Sequence, residues 1–569
     1  MKYFTSLLLV FFLFQSTAAQ SNGLSDKQVA IDQLMQHSYD YGIFNGTILV
    51  SVDGKEIYSN ALGYADKNSG RKLNKSTSVY LASVSKQFTT MAIMILKEQN
   101  KLSYDNTLAD YFPEFPEYAK EVTIKQMMQH TSGIPDHYRF GIYKPGLSNE
   151  DVYKLLLDQP LDFKSGERFS YSNGGYVLLS MIVAKVAEQP FHEFMKTQIF
   201  DPLGMDNTLV YDTSEPKIKD RAVGYNANGE LDDYTIFTTG AGGMYSNIYD
   251  LHKWDQALYT EKLVSKETLE EAFTPAKLNN GEYTQYGFGW GVQDNDGKKS
   301  VQHSGGLAGY RTFIRRNLYD NSGYIVLTNH GNQTNLTPIL RALDAILADE
   351  SYEMPRVPLS SELSKLLSDH KAEKAISKIE TLLNSNSKKY EIDEFGINSL
   401  GYDYFGEGDL KTALAIFEFN VAKNPNASNP YDSLGEVQLA MGDTIQAVNN
   451  YKKSYKLDPN NTNAIDVLKR IGVDTSEMTK PLEVDAKILD TYVGKYELQP
   501  NFILSVTRDE NRLFVQATGQ GKIEVFPMSD IKFYSKIVDA QITFQKNSNG
   551  KISSLTLHQN GDFNAPKIE

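Results

Sequence analysis

The stretch Ala82–Thr90, ASVSKQFTT, decides how the first part of the chain is understood. It places Ser83 three residues before Lys86 and runs directly into the apolar segment MAIMIL. Side chains at i and i+3 of a helix share one face, one turn apart. If a helix begins near Ser83, the hydroxyl also lies where backbone N–H groups converge and favour a developing anion.

This spacing suggests a nucleophile with its base. Serine is a weak nucleophile unless a base lies within hydrogen-bonding reach. Lys86 is a candidate for that base, because burial among apolar neighbours lowers the pKa of a lysine. Ser85 points to a different face, and we expect a structural role for it. A Ser-x-x-Lys spacing also arises by chance, as a helix cap followed by a solvated lysine, so the rest of the sequence must decide.

Two further motifs follow in order. Tyr171-Ser172-Asn173 precedes GGYVLLSMIVAKVAE, which is apolar on all sides and is therefore predicted to be a buried helix. His303-Ser304-Gly305-Gly306 lies on a predicted strand. Outside this context Tyr171 would be an ordinary core tyrosine and His303 an ordinary surface residue of a strand.

The three motifs, together with HTSGIPD from His130 and GAGGMYSNIYDLHKW from Gly240, resemble those of the penicillin-recognising serine hydrolases. The similarity is to the branch with class C β-lactamases, D-alanyl-D-alanine carboxypeptidases, D-amino-acid peptidases and related esterases. The sequence contains neither the G-x-S-x-G of α/β-hydrolases nor the H-E-x-x-H of zinc peptidases.

The resemblance implies a role for each motif residue. Ser83 would be the acylated nucleophile and Lys86 would share its proton. Tyr171, as phenolate or through its hydroxyl, would act with Lys86 as base in acylation and activate water for deacylation. Asn173 would hold the substrate amide or a catalytic side chain. The backbone N–H groups of Ser83 and Gly306 would form the oxyanion hole.

The third motif departs from that of the β-lactamases in this branch, which carry Lys-Thr-Gly where this chain has His303-Ser304-Gly305. Lysine offers a permanent charge to a substrate carboxylate, whereas histidine is charged only near or below its pKa of about 6.5. Gly305 and Gly306 fit a strand whose backbone the substrate approaches closely. We therefore expect a D-amino-acid peptidase, D,D-carboxypeptidase-like or esterase activity. The alternatives are a class C-like β-lactamase and an inactive hydrolase fold that acts as a binding scaffold.

Strand patterns open and close this first region, and helical patterns fill its middle. The segment from Gly46 alternates on either side of Asp53-Gly54, which predicts a β-hairpin, and strand patterns return from Tyr286. An α+β domain over residues 24–350, an antiparallel sheet flanked by helices with an all-helical part, accounts for this order.

A 34-residue period follows, which predicts all-α, tetratricopeptide-like repeats over residues 360–475. The positions that recur are Gly408-Asp409 and Gly442-Asp443, Ala413 and Ala447, and Phe417 and Tyr451. Such repeats either offer a groove to a protein partner or act as a brace, and we favour the brace. Short alternating strands over residues 482–569 predict a small antiparallel β domain without a catalytic cluster.

The N-terminal residues 1–19 have the pattern of a secretory signal peptide, with Lys2, an apolar run and small residues at the end. The apolar run is short for a membrane span, and the alternative is a single anchor helix. A net charge of −14 argues against nucleic acid as a partner, and the lack of cysteine excludes disulfides. We expect an exported protein of a bacterial cell envelope, periplasmic or extracellular. It would act on a small peptide, ester or β-lactam, with no cofactor, no metal and no stable membrane span after cleavage.

Overall fold

The structure is a computed structural model that describes residues 25–212, 217–226, 229–234, 236–331, 336–478, 482–499, 502–547, 549–559 and 561–569. Contacts divide the chain into two compact units, with the division between Val357 and Pro358. The predicted signal peptide, residues 1–19, lies outside the described residues. Within the described ranges no helix is both long enough and apolar enough to cross a membrane.

The first unit is built on a six-stranded antiparallel sheet. The strands of this unit are β1 (Gly46–Val52), β2 (Lys55–Leu62), β3 (Tyr64–Asp66), β4 (Arg71–Lys72), β5 (Val79–Tyr80), β6 (Leu209–Val210), β7 (Met244–Ser246), β8 (Gly291–Asn295), β9 (Lys298–Leu307), β10 (Tyr310–Asn317) and β11 (Ser322–Thr328). The large sheet has the order β2-β1-β11-β10-β9-β8, so the first strands of the unit pair with its last. The predicted hairpin is confirmed: Asp53 and Gly54 join β1 to β2 with φ values of 51° and 70°, as a tight hairpin turn requires.

Helices lie at both ends of the first unit and fill its middle. Their bounds are residues 25–40, Lys86–Glu98, Leu108–Tyr111, Ile124–Met128, Asn149–Leu157, Asn173–Ala187, Phe191–Met195, Asp201–Leu203, Ile248–Ala257, Lys266–Ala272 and Leu336–Leu347, with 3-10 turns at Ala82–Ser85, Glu117–Lys120 and His137–Phe140 and a π turn at Lys196–Phe200. The two helices that follow motif residues pack against each other in the core. Helix Lys86–Glu98 is buried from Lys86 to Leu96. Helix Asn173–Ala187 is capped by the Ser172 hydroxyl, which accepts from the Gly175 N–H at 3.1 Å.

Two boundaries differ from the sequence expectations. The α-helix begins at Lys86 rather than near Ser83, because Ala82–Ser85 forms a tighter 3-10 turn ahead of it. Strand β8 begins at Gly291, whereas the strand pattern begins at Tyr286. The residues before β8 instead turn at Gly289, whose φ is 73°.

The second unit opens with helices. Their bounds are Leu359–Asp369, Ala372–Ser385, Glu394–Gly406, Leu410–Lys423, Ser428–Ala440, Thr444–Leu457, Thr462–Arg470 and Ala486–Tyr492. The pair Glu394–Gly406 and Leu410–Lys423 recurs 34 residues later as Ser428–Ala440 and Thr444–Leu457. The helical character of this region is confirmed, and its assignment as tetratricopeptide-like stays a prediction.

The chain ends in a sheet of eight antiparallel strands that pair in sequence order. The remaining strands of the chain are β12 (Val357–Pro358), β13 (Tyr390–Glu391), β14 (Gly494–Gln499), β15 (Phe502–Asp509), β16 (Arg512–Ala517), β17 (Ile523–Pro527), β18 (Lys532–Ser535), β19 (Gln541–Lys546), β20 (Ile552–His558) and β21 (Asp562–Pro566), of which β14–β21 form this sheet. Lys495 in β14 bonds Ile568 and Glu569 just after β21, so the sheet curls almost into a barrel. The predicted all-β domain is confirmed.

Candidate active site

Ser83 lies in the turn Ala82–Ser85. The backbone of this turn is strained, and hydrogen bonds to two neighbouring strands hold it in place. Ala82 has a φ of 48°, a left-handed conformation that a residue with a Cβ rarely adopts. The carbonyl of Leu81 accepts from the Thr312 hydroxyl on β10 at 2.8 Å, and the Leu81 N–H donates to Met244 on β7 at 2.8 Å. Strain of this kind persists only where surrounding contacts impose it, and it is common at functional sites.

Lys86 is fully buried, and its side-chain nitrogen contacts three oxygens. Nζ lies 3.1 Å from Ser83 Oγ, 2.8 Å from Asn173 Oδ1 and 2.9 Å from the Ala241 carbonyl oxygen. Burial lowers the pKa of Lys86 from 10.5 to about 7, although the negative charge of Asp136 acts in the opposite direction. A large fraction of Lys86 is therefore uncharged at neutral pH, one turn from the serine hydroxyl.

Tyr171 lies on the other side of the serine. Its ring centroid is 4.8 Å from Lys86 Nζ, and it lines the same cavity as Ser83. Burial raises the pKa of Tyr171, and the hydrogen bond with Ser83 offsets only part of that rise. Between the two forms that the sequence left open, this environment favours the neutral hydroxyl over the phenolate.

Asn173 connects Lys86 to a carboxylate. Its Oδ1 accepts from Lys86, and its Nδ2 donates to Asp136 Oδ2 at 2.8 Å. The other carboxylate oxygen of Asp136 accepts from the Tyr138 N–H at 3.0 Å and caps the turn His137–Phe140. Sequence reasoning did not single out Asp136 or the Ala241 carbonyl. The available signal was that Asp136 ends the phrase HTSGIPD and that Ala241 lies in the phrase from Gly240.

His303 on β9 is buried, so the reading of it as a surface residue of a strand is wrong. Its Nδ1 lies 2.6 Å from the Ser304 carbonyl oxygen, which can only accept, so Nδ1 carries the proton. Its Nε2 is then the acceptor for the Tyr286 hydroxyl at 2.8 Å. Burial and the charge of Lys86 lower the pKa of His303 to about 3. The imidazole is therefore neutral, and both of its nitrogens are bound within the protein.

The glycines of the third motif bring β9 against the turn Ala82–Ser85, which we call the nucleophile turn. A Cβ on Gly305 would lie 2.2 Å from both the Leu81 carbonyl oxygen and Thr312 Oγ1, and 3.2 Å from the Ser83 nitrogen. Glycine at position 305 is what allows the strand to approach so closely. Ser304 and Gly306 are exposed, and Gly306 faces the same cavity as Ser83.

A cavity of about 290 Å³ opens beside Ser83. Its walls are rich in tyrosine and consist of Tyr80, Ala82, Ser83, Tyr138, Tyr143, Tyr171, Asn173, Thr238, Ala241, Gly242, Gly306 and Leu307. Four predicted site residues thus share one cavity, namely Ser83, Tyr171, Asn173 and Gly306. Lys86 lies buried behind Ser83.

His130 belongs to the layer beneath the site. Its Nδ1 accepts from the Ser172 N–H at 3.1 Å, and its ring centroid lies 4.2 Å from that of Tyr171. Burial, with the charge of Lys86, lowers the pKa of His130 well below its ordinary value. His130 therefore supports the second motif as a neutral ring.

Comparison with known families agrees with this geometry. A family model described as Beta-lactamase matches residues 29–348, which is 320 of the 569 residues. The chain belongs to the β-lactamase family. It is a serine hydrolase of that fold. A second model, the domain of unknown function DUF3471, matches residues 479–569.

Individual relatives are of several kinds. A penicillin-binding protein of Bacillus subtilis (strain 168) is 36% identical over 340 residues, which cover 55% of this chain and 75% of that protein. The octameric penicillin-binding protein homologue from Pyrococcus abyssi is 20% identical with a TM-score of 0.52, covering 94% of this chain and 99% of that one. The D-amino acid amidase from Ochrobactrum anthropi SV3, solved with D-phenylalanine, is 21% identical with a TM-score of 0.51 and covers 57% and 98%. At these identities the two structures show the fold alone.

Proposed function

We propose that this chain forms an acyl-enzyme on Ser83 and hydrolyses D-amino-acid amides or peptides, or esters. The observation that carries the proposal is the contact of 3.1 Å between Ser83 Oγ and the fully buried Nζ of Lys86. A buried lysine with a pKa near neutrality is a general base matched to its working pH.

Acylation begins with neutral Lys86. The Asn173 Oδ1 and the Ala241 carbonyl oxygen only accept, so they take the two N–H bonds of the amine. The lone pair then points to Ser83. As Ser83 Oγ bonds to the substrate carbonyl carbon, its proton moves to Lys86 Nζ, and the new oxyanion accepts from the backbone N–H groups of Ser83 and Gly306.

Collapse of this intermediate releases the leaving amine or alcohol. The proton on Lys86 passes to the leaving group through the Tyr171 hydroxyl, because Tyr171 lines the same cavity as Ser83. In deacylation the same two groups take a proton from water as it attacks the acyl carbon. The proton returns to Ser83 Oγ when the acid product leaves, and the starting state is restored.

The third motif supports the substrate class. His303 is neutral and makes both of its hydrogen bonds within the protein, so it offers no charge to a substrate carboxylate. We therefore favour an amide or ester whose leaving group is uncharged over a D,D-carboxypeptidase substrate with its free carboxylate.

The alternatives stay open to test. A class C-like β-lactamase activity is supported by the family itself, but it calls for a cation at the position that His303 occupies. A binding scaffold is disfavoured by the assembled Ser83, Lys86 and Tyr171, which a structural domain does not need.

We also propose that residues 1–19 direct export to the cell envelope, and that the helical repeats act as a brace or bind a protein partner. N-terminal sequencing of exported protein should begin at Gln20.

The full chain and its Ser83→Ala variant should be compared on a p-nitrophenyl ester, a D-amino-acid amide, a D-alanyl-D-alanine peptide and a chromogenic cephalosporin. We expect Ser83-dependent release from the ester or the amide, with a loss of about 10³-fold or more in Ser83→Ala. Ser85→Ala is the matched control: its hydroxyl is buried and has no hydrogen-bond partner among the described residues, so its removal should leave the rate unchanged. Rapid cephalosporin turnover would favour the β-lactamase alternative. No Ser83-dependent turnover of any substrate would favour the scaffold.

A further inference from the structure

We propose that Asp136 is a positioning residue, whose carboxylate orients the Asn173 amide so that Lys86 presents its lone pair to Ser83. This inference rests on the proposed function. It assigns to Asp136 a role beyond capping a turn, and it concerns a residue that does not line the cavity beside Ser83.

The first step is the orientation of Asn173. A carboxylate can only accept, so the amide nitrogen of Asn173 must face Asp136 Oδ2, which lies 2.8 Å away. The amide oxygen of Asn173 is then turned to Lys86 Nζ at 2.8 Å. With the amide reversed, its N–H would either oppose an N–H of the amine or bind the lone pair that Ser83 requires.

The second step is the orientation of Lys86. Its neutral amine has two N–H bonds and one lone pair. Asn173 Oδ1 and the Ala241 carbonyl oxygen fix the two N–H bonds, so Ser83 Oγ receives the lone pair. If Asn173 stops accepting, the amine can rotate and turn an N–H towards the serine, which removes the base.

The third step is charge. The Asp136 carboxylate raises the pKa of Lys86 against the larger effect of burial. Other groups also face Lys86, and their own ionisation is suppressed by burial. They are the rings of Tyr171 and Tyr176, at 4.8 and 5.4 Å from Nζ, and the imidazoles of His130, His137 and His303. Burial and the charge of Lys86 lower the pKa values of these imidazoles, and for His137 the Asp136 carboxylate, 3.9 Å away, acts in the opposite direction. Substitution of Asp136 should therefore change the titration of Lys86, which a purely structural role would not do.

Two substitutions test the proposal on the full chain. Asp136→Asn removes the charge and allows either end of its amide to face Asn173. Asp136→Ser keeps an oxygen that can cap the Tyr138 N–H but is too short to hold Asn173, so it preserves the turn should Asp136→Asn fold poorly. Asp344→Asn is the matched control, because that half-buried carboxylate bonds Tyr324 and Arg315 rather than any residue of the site.

The readout is kcat/KM for a p-nitrophenyl ester between pH 5 and 10, with thermal unfolding as a check on folding. In both Asp136 variants we expect the plateau rate to fall about tenfold or more. We also expect the acid limb to move to lower pH by about one unit. For Asp344→Asn we expect an acid limb at the same pH as in the wild type.

Two other results would contradict the proposal. A plateau equal to that of the wild type would show that Asp136 does not orient the base. A lower plateau with an unmoved acid limb would reduce Asp136 to a structural role. Failure of the proposed function is seen separately: the wild type would then show no Ser83-dependent turnover, and the inference would fall with it.

Discussion

The nucleophile turn of the first unit and the repeated helix pairs of the second both use glycine to bring two segments together, but what approaches the glycine differs. At Gly305 the neighbours of a Cβ would be polar backbone and a hydroxyl, the Leu81 carbonyl oxygen and Thr312 Oγ1. At Gly401 and Gly435 they would be the rings of Phe417 and Tyr451. The first glycine assembles a reactive site, and the other two build a core.

The same contrast holds for buried polar groups. The turn carries the strained Ala82 and leads into Lys86, a cation whose burial is unfavourable unless it loses its proton. The helix pairs keep a 34-residue regularity, and their helices are linked by ordinary bonds such as that from the Tyr402 hydroxyl to Glu436 at 2.7 Å. The strained backbone and the buried lysine both lie at the proposed active site, and such unfavourable features are typical of functional sites.

The largest expected effect comes from Lys86→Met, which keeps the length of the side chain and removes the base. Activity should fall by about 10²–10⁴-fold, the usual contribution of a general base. Stability at neutral pH should be kept or raised, because an apolar side chain has no charge to desolvate. Lys97→Met, on the exposed end of the same helix, is the control and should leave turnover unchanged. A Lys86→Met enzyme with more than a tenth of wild-type activity would contradict the assignment.

The close approach of β9 is tested by Gly305→Ala against Gly306→Ala. The Cβ at 305 would overlap backbone oxygen, so we expect a loss of about 1–3 kcal/mol in the free energy of unfolding, with displacement of Ser83 and a lower kcat. The Cβ at 306 would meet the flexible Arg311 side chain at 3.2 Å, and its effect on stability should be smaller. Urea unfolding measures both. Equal free energies of unfolding for Gly305→Ala and Gly306→Ala would contradict this, because they would show that the turn Ala82–Ser85 moves easily to admit the Cβ.

The helix pairs allow the same comparison between equivalent positions. A Cβ at Gly401 would lie 2.4 Å from the Phe417 ring, whereas at Gly435 the nearest ring atom of Tyr451 is 3.1 Å away. Alanine gains about 1 kcal/mol of helix propensity over glycine. Gly401→Ala should therefore destabilise the chain by about 1–2 kcal/mol and Gly435→Ala should be nearly neutral. Circular dichroism during urea unfolding measures the difference, and the reverse order would contradict the packing.

The stability of the folded chain should also depend on pH through Lys86. Its pKa is about 7 in the folded chain and 10.5 when unperturbed, so the unfolded state binds the proton first as the pH falls. Uncharged Lys86 therefore does not destabilise the fold above pH 10.5, and the free energy of unfolding decreases as the pH falls from 10.5 to about 7. A pKa shift of this size corresponds to about 5 kcal/mol. As the pH falls from 10.5 to 7, the melting temperature of Lys86→Met should therefore rise relative to that of the wild type by about 5–10 °C, and below pH 7 the difference should stay level. A constant difference would mean that Lys86 titrates normally.

The turn residues Asp53-Gly54 between two alternating segments predicted the hairpin, which the structure confirms. The choice of Ser83, Lys86 and Tyr171 came from the Ser-x-x-Lys spacing together with the resemblance of three motifs, and their catalytic roles stay predictions. Asp136, the Ala241 carbonyl and the Tyr286 hydroxyl could not be derived in this way. They reach the site through the packing of distant segments, and a single sequence does not contain their distances. The neutrality of His303 likewise follows from burial and from its two hydrogen bonds, not from its place in the motif.

The most direct test of the account is the pH dependence of kcat/KM for Ser83-dependent ester hydrolysis by the wild-type chain. If buried Lys86 is the base, the rate should rise with pH through about 7, where its amine loses the proton, and then reach a plateau. An acid limb near pH 10 would contradict this, because it would mean that the base is a lysine with its ordinary pKa or a tyrosine phenolate.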